Sequence, residues 1–289
     1  MNDKDESLEI FDFFKFPACL AEPELLTNGS AWQGHIPIAF ALVQLLRPRV
    51  FVELGTHNGD SYCAFCQAVK MLGLKTLCFA VDTWEGDPQT RLYGPEVLAE
   101  LRAHHDPRYA QFSCLLQTTF DSAVNSFKDK SVDLLHIDGL HTYEAVKHDF
   151  ETWLPKISDR GVALFHDTAE RQGDFGVWKL WAEIRDRFPH CEFSHSHGLG
   201  VLAVGKNIDP EAQMFFSGKD ATRKIVQDLF ARLGEALFLR GQISDLRRRL
   251  SDTERTLEGL RSSTSWRLTR PGRMIGRKMR ELYRMVVSS

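Results

Sequence analysis

Over the first 205 residues, apolar side chains fall in short β-rich runs separated by stretches of helical spacing. Val50-Phe51-Val52-Glu53-Leu54 is the first run and closes on Gly55, after a helix-like stretch at 38–46. Residues 76–81 form a second run, 112–116 a weaker third, 132–137 a fourth and 162–166 a fifth. Helical segments such as 61–72 and 143–154 lie between them. Strands alternating with helices of this length predict an α/β fold with a parallel sheet covered on both faces. Residues 192–195 and 200–204 are separated by only a few residues, which permits an antiparallel hairpin and no crossover.

Beyond Lys206 the pattern changes. Residues 206–222 are polar and punctuated by Pro and Gly, and read as a linker after a domain over 1–205. From Leu239, the positions Ile243, Leu246, Leu250, Thr253, Leu257 and Leu260 follow in steps of four and three. This heptad seam predicts a coiled-coil helix over 223–263 and a homo-oligomer; a helix folded back on the domain is the alternative. Upstream, Val226, Leu229, Leu233 and Ala236 fit the seam after one three-residue stammer.

Composition narrows the class. With 43% hydrophobic residues and 20 Phe in 289 residues, the chain can fill a core, so disorder is excluded as its main state. No apolar run of about 18 residues suggests a membrane-spanning helix. The acidic start Met1-Asn2-Asp3-Lys4-Asp5-Glu6 does not resemble a signal peptide. Six irregularly spaced Cys read as reduced thiols, so the expected compartment is cytoplasmic. The net charge of −3 conceals an asymmetry: residues 261–289 hold eight Lys or Arg and one Glu, so this end carries +7 and the rest −10. In the tail, residues 264–289, Trp266, Leu268, Met274, Ile275, Leu282 and Tyr283 are mixed with Arg. Such a basic amphipathic stretch suits peripheral contact with an anionic membrane; a solvated tail, or one docked on the acidic body, is the alternative. No nucleic-acid partner is expected, because the body is acidic and shows no reader motif.

The sharpest local signal is Glu53-Leu54-Gly55-Thr56-His57-Asn58-Gly59-Asp60-Ser61, between the first strand and its helix. Glycines there allow a tight turn and close backbone approach to a ligand at a helix N-terminus. The glycine spacing departs from the dinucleotide pattern, which disfavours a nicotinamide oxidoreductase. Glu53 would repel a pyrophosphate and welcome a cation, and Asp82 ends the second strand, where related folds place a carboxylate on ribose hydroxyls. A ligand with a ribose, a cation and no phosphates follows, and S-adenosylmethionine meets that description.

On these residues the sequence resembles the class I S-adenosylmethionine-dependent methyltransferases. It is closest to a bacterial O-methyltransferase subgroup marked by Ile137-Asp138-Gly139-x-His141-x-Tyr143-Glu144 and a later His166-Asp167-Thr168. The resemblance spans roughly residues 32–205. It implies a Rossmann-like sheet of seven strands whose last pair is antiparallel. It also implies a cofactor site at Glu53, Gly55, Gly59, Ser61 and Asp82, with Trp84 against the adenine by position.

Asp138 and Asp167 each follow a predicted parallel strand. If those strands are neighbours, two carboxylates share one sheet edge, and a divalent cation such as Mg²⁺ would relieve their repulsion and hold a substrate hydroxyl pair. Metal-dependent relatives use these positions so, but commonly add a further carboxylate or amide beside the second Asp, where this chain has His166 and Thr168. Otherwise one Asp is structural and the other binds the cofactor's amine. His141 stands where such relatives place a general base, with substrate hydrogen bonding as its alternative role. Tyr143 and Glu144 are expected to orient. Trp32-x-Gly34-His35 either caps the cofactor pocket or starts a helix, and Gly173-Asp174-Phe175-Gly176-Val177-Trp178 is placed to wall the acceptor. Cys63-x-x-Cys66 reads as packing inside a helix, and His195 and His197 as turn residues.

The segment from Ser262 to Pro271 resembles one found after coiled coils in bacterial surface-polysaccharide enzymes. The expected function is therefore O-methylation of a sugar hydroxyl in cell-surface polysaccharide or glycolipid synthesis, at the cytoplasmic membrane face. A small secondary metabolite as acceptor, or a non-catalytic coiled-coil scaffold, are the alternatives.

Overall fold

A computed structural model describes residues 15–27, 30–87, 91–217 and 220–287. The elements run α1 (Ile36–Leu46), β1 (Val50–Leu54), α2 (Asp60–Met71), β2 (Leu77–Asp82), and a two-residue ribbon of β3 (Gly86–Asp87) and β4 (Arg91–Leu92). Then come α3 (Glu96–Tyr109), β5 (Ser113–Gln117), α4 (Phe120–Ala123), β6 (Val132–Ile137), α5 (Tyr143–Trp153), β7 (Ile157–His166) and α6 (Val177–Ile184). The hairpin β8 (His190–Phe193) and β9 (Leu199–Ala203) precedes four helices: α7 (Pro210–Ser217), α8 (Asp220–Ser262), α9 (Thr264–Leu268) and α10 (Arg270–Val287).

Seven strands form one sheet in the order β5-β2-β1-β6-β7-β9-β8. The first five are parallel, and β9 pairs antiparallel with both β7 and β8. This is the Rossmann-like arrangement the resemblance implies. Alternation sorts the strands between two cores: Phe51, Leu134 and Leu164 face α1 and α2, whereas Val52, Leu135 and Phe165 face α5 and α6. The helix α1 is apolar almost all round, and all but one of its residues are buried. On α2, Cys63 and Cys66 are both buried, and burial holds the Cys63 thiol well above its usual range, so the CxxC spacing serves packing.

The chain divides into two units, up to Leu239 and from Arg240. The stretch expected as a linker, 206–222, instead contains α7, because Ala212 and Phe216 insert into the core. The helix expected as a coiled coil divides in the same way. Val226, Phe230 and Leu237 are buried in the first unit, so the body reaches Leu239 and not 205. In the second unit Ile243, Leu246, Leu250, Leu257 and Leu260 are exposed.

Candidate active site

The strand β1 ends in a loop that only glycine can make. Gly55 and Gly59 have φ of +85° and +83°, and a Cβ on Gly55 would lie 2.1 Å from the carbonyl oxygen of Asp138. The loop is pinned from β2: the N–H groups of Thr56 and His57 donate to Asp82 Oδ2 at 2.8 and 2.9 Å, and Trp84 N–H donates to Oδ1 at 2.7 Å. Asp82 thus organises the loop as well as lining the cavity above it.

That cavity has two lobes, of about 230 and 300 Å³, meeting at Gly55, His57, Asp138 and His141. Asp82, Tyr93, Thr119 and Phe120 line the first. Thr27, Ser30, Trp32, Asn58, Ser61 and His166 help line the second. Gly55, Gly59, Ser61 and Asp82 therefore all line the cavity.

Two expected ligand contacts are corrected. Glu53 does not reach the cavity. It is fully buried on β1, opposite its register partner His136 on β6, and its Oε2 lies 2.7 Å from His136 Nδ1. The other ring nitrogen of His136 accepts a hydrogen bond from Trp32 Nε1–H at 3.1 Å, which fixes the tautomer and the indole. Trp84 lies beneath the loop, buried, with its Nε1–H donated to the carbonyl of His57. The aromatic rings in the first lobe are Tyr93, 4.8 Å from the His57 ring, and Phe120.

Where β6 and β7 end side by side, two carboxylates and two imidazoles converge. His141 Nε2 lies 2.9 Å from Asp167 Oδ2 and 3.5 Å from Asp138 Oδ1. His166 Nδ1 lies 3.2 Å from Asp138 Oδ1 and 3.3 Å from Asp167 Oδ2, and its Nε2 reaches the Ser196 carbonyl. The backbone of Asp167 is left-handed, with φ +62°, a conformation that costs a non-glycine residue about 1–3 kcal/mol. His141 is held from the far side: its carbonyl accepts from Gly176 N–H at 2.7 Å, and Phe175 stacks on its ring at 4.8 Å. The stretch after β7 thus touches His141 directly.

The charges in this cluster are interlocked. Burial would strip the proton from His141, but hydrogen bonds to Asp138 and Asp167 and their charges raise its pKa to about 9. Burial likewise opposes charge on His166, whose pKa the two carboxylates hold well above the usual value. Against the cost of burial, the His166 charge and the imidazole hydrogen bonds lower Asp167 to about 2, and Asp138 is held well below the carboxylate range. Ligand atoms of Asp138, His141 and Asp167 all lie within 4.8 Å of one another, a spacing one metal ion can bridge.

Residues 52–168 match the family model described as Methyltransferase domain. That span covers the glycine loop, Asp82, Asp138 and Asp167, so all of them fall inside the stretch similar to a methyltransferase domain. A relative, the uncharacterized protein y4gI of Sinorhizobium fredii (strain NBRC 101917 / NGR234), is 51% identical over 189 residues, covering 65% of this chain and 21% of that protein. The chain thus spans about a fifth of the relative's length. Among solved structures, cofactor-bound Rv0187 from MTB is similar at 13% identity and a TM-score of 0.46, over 65% of this chain and 85% of that one. A methyltransferase from Geobacter sulfurreducens is similar at 12% identity and a TM-score of 0.45, over 58% and 77%. Around the cavity, sequence reasoning missed the Glu53–His136–Trp32 chain, Tyr93 and the part played by His166. A polar His136 among the apolar residues of β6 was the one readable sign of the first.

Proposed function

We propose that this chain transfers a methyl group from S-adenosylmethionine to a hydroxyl of a sugar acceptor, in cell-surface polysaccharide or glycolipid synthesis. The observation that carries this reading is the Asp138–His141–Asp167 cluster at the junction of a two-lobed cavity beside the glycine loop. Asp82 faces the lobe suited to the adenosyl ribose and can accept from its hydroxyls. The second lobe runs along the glycine loop past Gly59 and Ser61 to Trp32, and its hydroxyl, amide, carboxylate and imidazole groups suit the cofactor's amino-acid end with a hydroxyl-rich acceptor beside it. The surface-polysaccharide setting rests on the resemblance of the segment from Ser262 to Pro271.

The donor set fits a divalent cation, with Asp138 and Asp167 as the residues that would hold it. A cation there would acidify an acceptor hydroxyl and offset the carboxylate charge that keeps His141 protonated. His141 Nε2 then takes the hydroxyl proton as the C–S bond breaks and the C–O bond forms, leaving S-adenosylhomocysteine. Phe175 and Gly176 hold the imidazole in place through this step.

Self-association belongs to the same proposal: a second copy would cover the exposed seam from Ile243 to Leu260.

Calorimetric titration with S-adenosylhomocysteine tests the donor site. Micromolar binding, weakened about tenfold or more in Asp82→Asn and lost in Asp82→Ala, supports it. No binding by the folded wild-type chain overturns it. Turnover on sugar acceptors should vanish in EDTA and return with Mg²⁺ or Mn²⁺, and full activity in EDTA removes the cation from the proposal.

A further inference from the structure

The second unit ends in α10, and none of its described residues is buried. Met274, Ile275, Met279 and Tyr283 are each at least half exposed, which is costly apolar area for a helix to leave in water. In the sequence, Arg270, Arg273, Arg277, Arg280 and Arg284 recur in steps of three, four, three and four. At about 100° per residue these positions fall in one narrow arc, centred roughly opposite Ile275. Within that row, the guanidinium of Arg273 lies over the ring of Trp266 in α9, 3.7 Å from its centroid. No helix among the described residues is long and apolar enough to cross a membrane.

We propose that α10 lies flat on an anionic lipid surface, its Ile275–Met279 side at the acyl boundary and its arginines drawn to the headgroups. Charge complementarity selects this occupant. A second copy would bring another segment of net positive charge against the first, whereas an anionic surface neutralises both. The helix is about 10–12 Å across, so the arginine row stays close to one Debye length of about 8 Å from the headgroups. Tyr283, an amphipathic ring near the end of the segment, suits the interfacial layer. The inference stands on the tail alone and is independent of the reaction proposed above.

Flotation of the full chain with vesicles tests it. The chain should float with vesicles of mixed phosphatidylglycerol and phosphatidylcholine and stay behind with phosphatidylcholine alone. Ile275→Glu combined with Met279→Glu should abolish flotation while the helical signal in circular dichroism is kept. Arg270→Gln combined with Arg280→Gln should lower partitioning roughly thirty-fold, as expected for about 1 kcal/mol per arginine. Absence of flotation by the wild-type chain overturns the proposal, as does equal flotation with neutral vesicles or by the glutamate pair. Binding to a short DNA duplex that survives the glutamate pair, with no vesicle binding by the wild type, would assign the arginine row to a nucleic acid.

Discussion

Gly234 of α8 rests directly on Gly34: a Cβ on Gly234 would lie 2.0 Å from the Gly34 carbonyl oxygen. The same carbonyl meets His195 Nε2 at 3.1 Å, and a Cβ on Gly34 would strike the Ser196 side chain. Helix α8 and the β8–β9 turn thereby clamp the Ala31–His35 turn, whose Ala31 and Trp32 line the second lobe of the cavity.

Gly234→Ala should therefore act against its helix propensity. In a free helix the change is worth up to about 1 kcal/mol of stabilisation. Here the added methyl meets backbone, and overpacking of this kind costs about 1–3 kcal/mol. Thermal unfolding should show a lower midpoint, and calorimetry an affinity for S-adenosylhomocysteine reduced about tenfold. Gly259→Ala, with nothing within 4 Å of its Cβ, should be neutral or stabilising. Equal behaviour of the two variants would separate α8 from the site.

The buried chain Glu53–His136–Trp32 makes a second prediction. Glu53→Ala leaves a buried imidazole N–H without an acceptor and should destabilise the fold by about 2–4 kcal/mol. Glu53→Gln keeps an oxygen for that N–H and should recover most of the loss. Urea unfolding of both variants distinguishes them; equal losses would mean that the packed volume matters and the hydrogen bond does not.

What the sequence could and could not reveal follows from distance along the chain. The glycine loop, Asp82, Asp138 and Asp167 are legible because each closes or follows a strand, and strand ends are set by local pattern. Trp84 also follows a strand, but its left-handed backbone, φ +54°, turns the ring beneath the loop. Glu53 is legible as an acid, while its partner His136 becomes its neighbour only when β1 and β6 pair. Heptad spacing identifies α8 as a helix with one apolar side, but it cannot say what covers that side. Val226, Phe230 and Leu237 find the body, whereas Ile243, Leu246, Leu250, Leu257 and Leu260 are exposed.

The charge cluster sets a pH dependence of defined sign. His141 and His166 have raised pKa values, so their stabilisation is complete below about 6.5 and fades as pH rises, for His141 through about 9. Asp167, lowered to about 2, contributes fully above about 3.9 and loses its contribution as pH falls toward 2. Metal-free, the cluster should stabilise the fold most between roughly pH 4 and 6.5. A dication between these carboxylates and a protonated His141 exclude one another, so Mn²⁺ affinity should rise between pH 6.5 and 9, by up to about tenfold per unit. Titration calorimetry in buffers of different ionisation enthalpy should detect the released proton. An affinity independent of pH would place the cation away from His141.

Where the chain is cut decides whether its body survives. A chain ended after Lys206, at the boundary the sequence suggests, loses Ala212, Phe216, Val226, Phe230 and Leu237 from the core. At about 1.5–3 kcal/mol for each of the larger side chains, that loss matches the whole stability of a typical domain. Phe193, which packs edge-on against Phe230 at 5.8 Å, would be laid open. This truncation should be insoluble or should expose apolar surface to a dye such as ANS. A chain ended after Leu239 keeps these contacts and Gly234, and should bind S-adenosylhomocysteine with the affinity of the full chain. By light scattering it should be a monomer where the full chain is an oligomer, because the exposed seam begins beyond the cut. If both truncations fold equally well, the first turns of α8 are not part of the body.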